Sequence, residues 1–286
     1  LYGVEAGQLV TVDKDTGART VVGTIGAIAG TFGSIATPDV DGLSFDPADG
    51  KLYAVARRED GTNGNTLLDV LFQIAPATGA RVANAYGAGV DYIAINTNTL
   101  PTALYDVDDL AFDDAGVLYA IANDATANMG LSDRLVTLNK STGAVTDVAS
   151  FVDAADGTTA VTDVEGLSFL EGVGLLASTG DASTTTAQRN TVWTVDADTA
   201  EMTAIIAVPA YSQTDYEGLA CLPGPFEPGD LILPPTPSNH VDTPLGASIG
   251  DLVWADVDGD GVKDANEPGL AGVEVCATPT VGGATV

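Results

Sequence analysis

One seven-residue motif occurs four times in the first 222 residues, and its recurrence sets the architecture. The copies are Asp39-Val-Asp-Gly-Leu-Ser-Phe45, Asp106-Val-Asp-Asp-Leu-Ala-Phe112, Asp163-Val-Glu-Gly-Leu-Ser-Phe169 and Asp215-Tyr-Glu-Gly-Leu-Ala-Cys221. A second element follows the first three after a short turn: Leu52-Tyr-Ala-Val55, Leu118-Tyr-Ala-Ile121 and Leu175-Leu-Ala-Ser178. Its fourth copy, Leu1-Tyr-Gly-Val4, opens the chain. A third element alternates apolar and polar residues and ends in a turn, as in Leu9 to Gly17, Leu71 to Gly79, Leu135 to Gly143 and Val192 to Ala200. A fourth follows each turn, at 18–22, 80–85, 144–149 and 201–206. A fixed order of repeated elements marks a repeat architecture, and the repeat has to be read before any single strand is.

Four short strands per unit, separated by Gly, Asp and Thr turns, describe a propeller blade. The markers Asp41, Asp108, Glu165 and Glu217 are 67, 57 and 52 residues apart, which fits four strands with loops of uneven length. Period-two alternation and frequent Gly argue against long helices. A stacked solenoid of the same hairpins would need terminal caps, and none is legible. The chain begins at the second strand of a unit and returns to a lone first strand, as ring closure requires. The expectation is therefore an all-β chain whose residues 1–222 form a four-bladed β-propeller. Pairing of the chain ends, residues 215–221 beside residues 1–4, would close it. Tyr2, Tyr53 and Tyr119 recur at one strand position and are expected to pack between blades. This region resembles the secreted bacterial YVTN/NHL-like propellers, in which a D-x-[DE]-G-L-x-F strand precedes an L-Y-A-V strand. That likeness implies a fold and an extracellular habit more than a reaction.

Residues 223–247 are Pro-rich and should run as an extended, semi-rigid linker. Beyond it stands Asp256-Val-Asp-Gly-Asp-Gly-Val-Lys-Asp-Ala-Asn-Glu267. A hard cation takes six to eight oxygens, supplied in a twelve-residue calcium loop from positions 1, 3, 5, 7, 9 and 12, with Gly at 6. Asp256, Asp258, Asp260, the Val262 carbonyl, Asp264 and Glu267 fill those places, and Gly261 makes the turn. The alternative is a solvated acidic turn. Pro268-Gly269 prevents an exiting helix, and Ile249 to Trp254 and Leu270 to Val275 read as flanking strands, so the surroundings are not those of an EF-hand. The pattern IGD-x-VW-x-D-x-x-GDG-x-x-D-x-x-EPG-x-x-GV-x-V resembles the start of an SdrD B-like domain of bacterial serine–aspartate-repeat surface adhesins. The resemblance implies that residues 248–286 are the first part of a calcium-stiffened β-sandwich on a secreted, cell-surface protein. Half a sandwich cannot bury its own core, so the chain reads as a portion of a larger protein.

Composition narrows the function. Ten Lys plus Arg stand against 40 Asp plus Glu, a formal net charge of -30, which repels nucleic acid and disfavours anionic membranes. No apolar run approaches the roughly 18 residues of a membrane span. A start at Leu1, without Met or a charged leader, is what removal of a signal peptide would leave. Cys221 and Cys276 fall in different domains and are not expected to pair. His240, the single histidine, lies in the linker, so His-based acid–base chemistry has no local partner. No phosphate loop, HExxH, GxSxG or CxxC motif is present.

Three function classes fit. The first is a non-enzymatic structural or adhesive protein of the cell surface, such as a surface-layer or filament component, stiffened by Ca2+. The second is a propeller module that binds glycans or a protein, with surface proteins, matrix or further copies as partners. The third is a calcium-dependent hydrolase. The adhesin-like tail and the missing catalytic constellation favour the first. The repeated acids Asp41, Asp108, Glu165 and Glu217, with Asp39, Asp106, Asp163 and Asp215 two residues earlier, raise one more expectation. Ring symmetry would gather them on the axis as a second cation site or an acidic funnel, unless each caps its own blade by accepting backbone N–H bonds.

Overall fold

The computed structural model describes residues 1–13, 16–58, 67–100, 106–123, 133–183, 185–207 and 219. All belong to the first of two units, Leu1–Pro225 and Phe226–Val286. The linker, the calcium loop and both cysteines lie outside the described residues.

The first unit is a four-bladed propeller. Blade one runs outward from the axis as Asp39–Phe45, Leu52–Arg57, Val70–Ile74 and Tyr92–Ala94, blade two as Asp106–Phe112, Leu118–Asn123, Arg134–Leu138 and Val145–Ser150, and blade three as Val164–Leu170, Gly174–Thr179, Thr191–Val195 and Glu201–Ala207. Blade four supplies Tyr2–Glu5, Gln8–Val12 and Arg19–Thr24. The fourth motif copy, 215–221, expected as its innermost strand, has only Leu219 among the described residues, and Leu219 lines the same axial cavity as Leu1 and Tyr2. The pairing expected between residues 215–221 and residues 1–4 otherwise lies outside the described residues.

The alternation read from sequence becomes a core between adjacent sheets, because successive side chains in a strand face opposite ways. Tyr53 and Val55 point toward blade two and join Val107, Leu110, Phe112 and Ala120. Their neighbours Leu52, Ala54 and Ala56 point toward blade four and join Leu9, Ile25 and Ile28. Between blades two and three the same logic packs Ile121 and Leu135 against Leu167, Leu175, Trp193 and Met202.

Two departures from the sequence reading are informative. The outer strand of blade one is Tyr92–Ala94, whereas 80–85 makes only a bridge from Arg81 to Ile74 before turning. The Asp91 carboxylate holds this detour by accepting the N–H groups of Asn84 and Ala29 and the Arg81 guanidinium, at 2.8, 3.0 and 2.7 Å. The repeated tyrosines also diverge. Tyr53 is buried and tilts against Phe112, but Tyr2 is 38% exposed and meets Phe45 edge-on at the open end of the axis.

The turns between third and fourth strands lock neighbouring blades. In the Asn139 to Gly143 turn of blade two, Asn139 Oδ1 accepts the Thr142 N–H, and Gly143 closes the turn at φ +69°. The Gly143 carbonyl accepts the Asn96 N–H of blade one at 2.9 Å. A Cβ on Gly143 would lie 1.9 Å from the Ala94 carbonyl oxygen, whereas one on Gly17 of blade four, at φ +68°, meets nothing within 4 Å. Gly143→Ala is therefore expected to destabilise the protein by about 3 kcal/mol or more, and Gly17→Ala by about 1 kcal/mol, in urea unfolding of the two variants. Equal losses would show that the turn does not lock the blades.

Candidate functional site

The axis is lined by the innermost strands, and the repeated motif places a different chemistry at each level along it. Acids come first, then the fourth motif position, then leucines, then phenylalanines.

At the acidic end, the inner strands of blades one, two and three each carry a β-bulge at the marker acid. The register shifts between Val40 and Gly42, between Val107 and Leu110, and between Val164 and Gly166. A bulge adds an unpaired residue and re-aims its side chain. It therefore breaks the rule that residues two apart share a face, and two of the earlier acids, Asp39 and Asp163, part company from the markers. Asp39 is exposed, and Asp163 accepts the Ala182 N–H at 2.7 Å, capping its own blade. Asp41, Asp106 and Asp108 instead converge on Arg57, with Nε 3.5 Å from Asp41 and 3.2 Å from Asp106, and Nη2 3.5 Å from Asp108. Asn123 donates to Asp108 from the other side. Burial disfavours the Arg57 charge, but Asp106, Asp41 and Asp108 outweigh it and raise its pKa. Asp108 is driven well above the usual carboxylate range by burial and by Asp106, Glu165 and Asp133. Glu217 lies outside the described residues. No group of acidic, His or Cys side chains among the described residues is arranged to hold a metal ion.

At the next level a glycine of blade one lies against an acid of blade two. Three motif copies carry glycine here, at Gly42, Gly166 and Gly218, and the fourth carries Asp109. A Cβ on Gly42 would lie 2.5 Å from Asp109 Oδ1 and 2.9 Å from its Cα. The buried Asp109 carboxylate accepts the N–H groups of Leu110 and Leu167, each at 2.8 Å, and that of Leu219. Burial pushes its pKa up, and these three donors oppose the rise. One carboxylate thus joins the inner strands of three blades.

Asp69 and Asp133 do the same further out. Each stands just before the third strand of its blade and accepts the first free N–H of the next blade, Val107 at 2.9 Å and Val164 at 2.8 Å. Burial and Asp106 push Asp69 up to about 9, and burial with Asp163 pushes Asp133 up to about 7.

Past Asp109 the axis opens into an apolar cavity of about 500 Å³, ringed by Leu43, Leu110, Leu167 and Leu219 and reaching Tyr2 and Phe45.

The sequence reading missed Arg57, Asp69, Asp109 and Asp133. For two of them a signal existed. Asp109 replaces glycine in one copy of the motif, and Arg57 stands where the other units have Asn123 and Gly180.

Residues 247–285 match the SdrD B-like domain. Among proteins of curated function, none matches this sequence. Among solved structures, the chain is similar to the major allergen Mala s 1 of Malassezia sympodialis at 14% identity and TM-score 0.45, over 78% of this chain and 64% of that one. It is also similar to the extracellular domain of a one-component system of B. thetaiotaomicron, at 12% identity and TM-score 0.35, over 70% of this chain and 24% of that one. A gluconolactonase of Xanthomonas campestris matches at 13% identity and TM-score 0.32, over 71% and 70%. The chain therefore spans less than two thirds of the first two, and at these identities the likeness concerns the fold alone.

Two predictions follow from the axial carboxylates. Asp109→Gly makes all four motif copies alike, yet it leaves three buried N–H groups without their acceptor. It should lower stability by about 3 kcal/mol or more, measured by urea unfolding. Asp69 and Asp133 titrate higher in the folded chain than unfolded, so the folded state binds their protons more tightly. Their contribution is complete below about pH 4 and is lost as pH rises through their folded values. Melting temperature should fall from about pH 5 to about pH 9, and Asp133→Asn should flatten the lower part of that fall.

Proposed function

We propose that this chain is part of a secreted, non-enzymatic cell-surface protein of structural or adhesive type, in which a propeller head is joined by a Pro-rich spacer to a calcium-stiffened module. The observation that carries the reading is the match of residues 247–285 to the SdrD B-like domain, with the complete twelve-residue donor pattern inside it. Asp256, Asp258, Asp260, Asp264 and Glu267 supply carboxylate oxygens and Val262 a carbonyl, a hard, all-oxygen set that suits Ca2+. Without a cation these carboxylates repel one another at close range, so the ion would both neutralise and order the loop. The net charge of -30 suits an exterior rich in divalent ions. The propeller supports this reading as a rigid body tied across its blades by buried carboxylates. Its partners on this view are surface proteins, matrix glycans or further copies of the chain.

The test is limited proteolysis and calorimetry on the full chain. Calcium should bind with a stoichiometry of about one, and Asp260→Ala or Glu267→Gln should weaken it by about tenfold or more. Chelation should speed cleavage between residues 255 and 268, and magnesium should restore protection poorly, because it prefers a smaller octahedral shell. Equal protection in chelator and in calcium would sink the calcium reading.

A further inference from the structure

The apolar cavity plays no part in that proposal, and its chemistry is specific. The ring of Leu43, Leu110, Leu167 and Leu219 forms its wall, one leucine from each blade. At the next level outward Phe45 is 40% exposed and Tyr2 38%, with their rings edge-on at 5.5 Å. Large apolar side chains left open to water around a concave site forgo roughly 25 cal/mol for each Å² they could bury, and such patches mark binding sites. A cavity of about 500 Å³ is of the size that encloses a small organic molecule. At its inner end the backbone N–H groups of three of these leucines, Leu110, Leu167 and Leu219, are bound by the Asp109 carboxylate.

The charges at the mouth decide what kind of molecule fits. Asp114 and Glu171 are exposed at the rim, and Asp113 beside them holds its own turn by accepting the Val117 N–H at 2.7 Å. Among the described residues no Lys or Arg side chain lines the cavity, and the Leu1 amine is engaged by the Val12 carbonyl at 3.0 Å. Carboxylates at the rim repel an anionic head group and attract an ammonium, and the faces of the Tyr2 and Phe45 rings favour a cation further. We propose that this cavity binds one small cationic amphiphile, with an apolar chain or ring system against the leucine ring and an amine or quaternary ammonium at the Asp114–Glu171 rim.

The experiment compares three ligands of one chain length below their micellar concentrations: dodecylammonium, dodecanol and dodecanoate. Each is titrated into the full chain with Nile red displacement and calorimetry as readouts. The expected result is saturable binding at one site, with the ammonium about tenfold or more tighter than the carboxylate. Phe45→Ala, at a side chain exposed enough to leave folding intact by circular dichroism, should weaken all three ligands. The double substitution Asp114→Asn with Glu171→Gln should remove the preference for ammonium and leave dodecanol binding unchanged. This pair is on the surface, so it tests the proposal even if Phe45→Ala unfolds. Non-saturating uptake of the cation would mean that the net charge alone attracts it, and would overturn the proposal. Equal affinity for ammonium and carboxylate, or cation binding indifferent to the rim substitutions, would overturn it too.

Discussion

The axial carboxylate of Asp109 is the contact around which the propeller is organised. Backbone N–H groups buried near the axis cannot all be satisfied within their own sheets, because the innermost strand of each blade has a partner on one side only. An unpaired buried N–H costs as much as a lost hydrogen bond. A single carboxylate has lone pairs enough to satisfy three such groups at once, and Asp109 does so for Leu110, Leu167 and Leu219. Asp109 lies so close to blade one that Gly42 stands against it without a Cβ. Fourfold symmetry is broken here because the fully symmetric sequence would leave those groups without an acceptor.

The same plug gives the two ends of the axis their separate characters. On one side, bulges turn Asp41 and Asp108 toward Arg57, and together with Asp106 they surround one guanidinium. A strongly acidic chain thus places one of its few cations where three carboxylates converge. On the other side the leucine ring and Phe45 make an apolar space with acids only at the mouth. Asp109 stands between the two, bound to backbone N–H groups of Leu110, Leu167 and Leu219.

Contacts between blades follow one scheme at three radii. Asp109 works at the axis, Asp69 and Asp133 at mid-radius, and the Asn139 to Gly143 turn at the rim. In each case a group from one blade answers a backbone group of its neighbour, while alternating apolar side chains fill the space between. Buried carboxylates are costly unless satisfied, and here that cost is offset by neutral backbone donors more often than by cations.

The repeated elements alone determined the number of blades and the order of their inner strands, because a period-two pattern repeated in fixed order has few ways to bury its apolar residues; the outer strand of blade one, Tyr92–Ala94, did not follow the repeat. The SdrD B-like stretch was likewise readable, since its pattern lies within a short run of consecutive residues and is a local property. Tertiary structure decided what happens on the axis. The bulges at Asp41, Asp108 and Glu165 change which way those side chains face, and no local pattern announces a one-residue register shift. Asp109 departs from the glycine of the other copies, but its role is set only where N–H groups of three blades meet its oxygens. Arg57 ends its strand, and only the packing of neighbouring blades brings Asp106 and Asp108 to it. Both roles depend on residues 49 to 110 positions away in the chain, from Arg57 to Asp106 and from Asp109 to Leu219, and only the curvature of the sheets around a common axis brings such residues together.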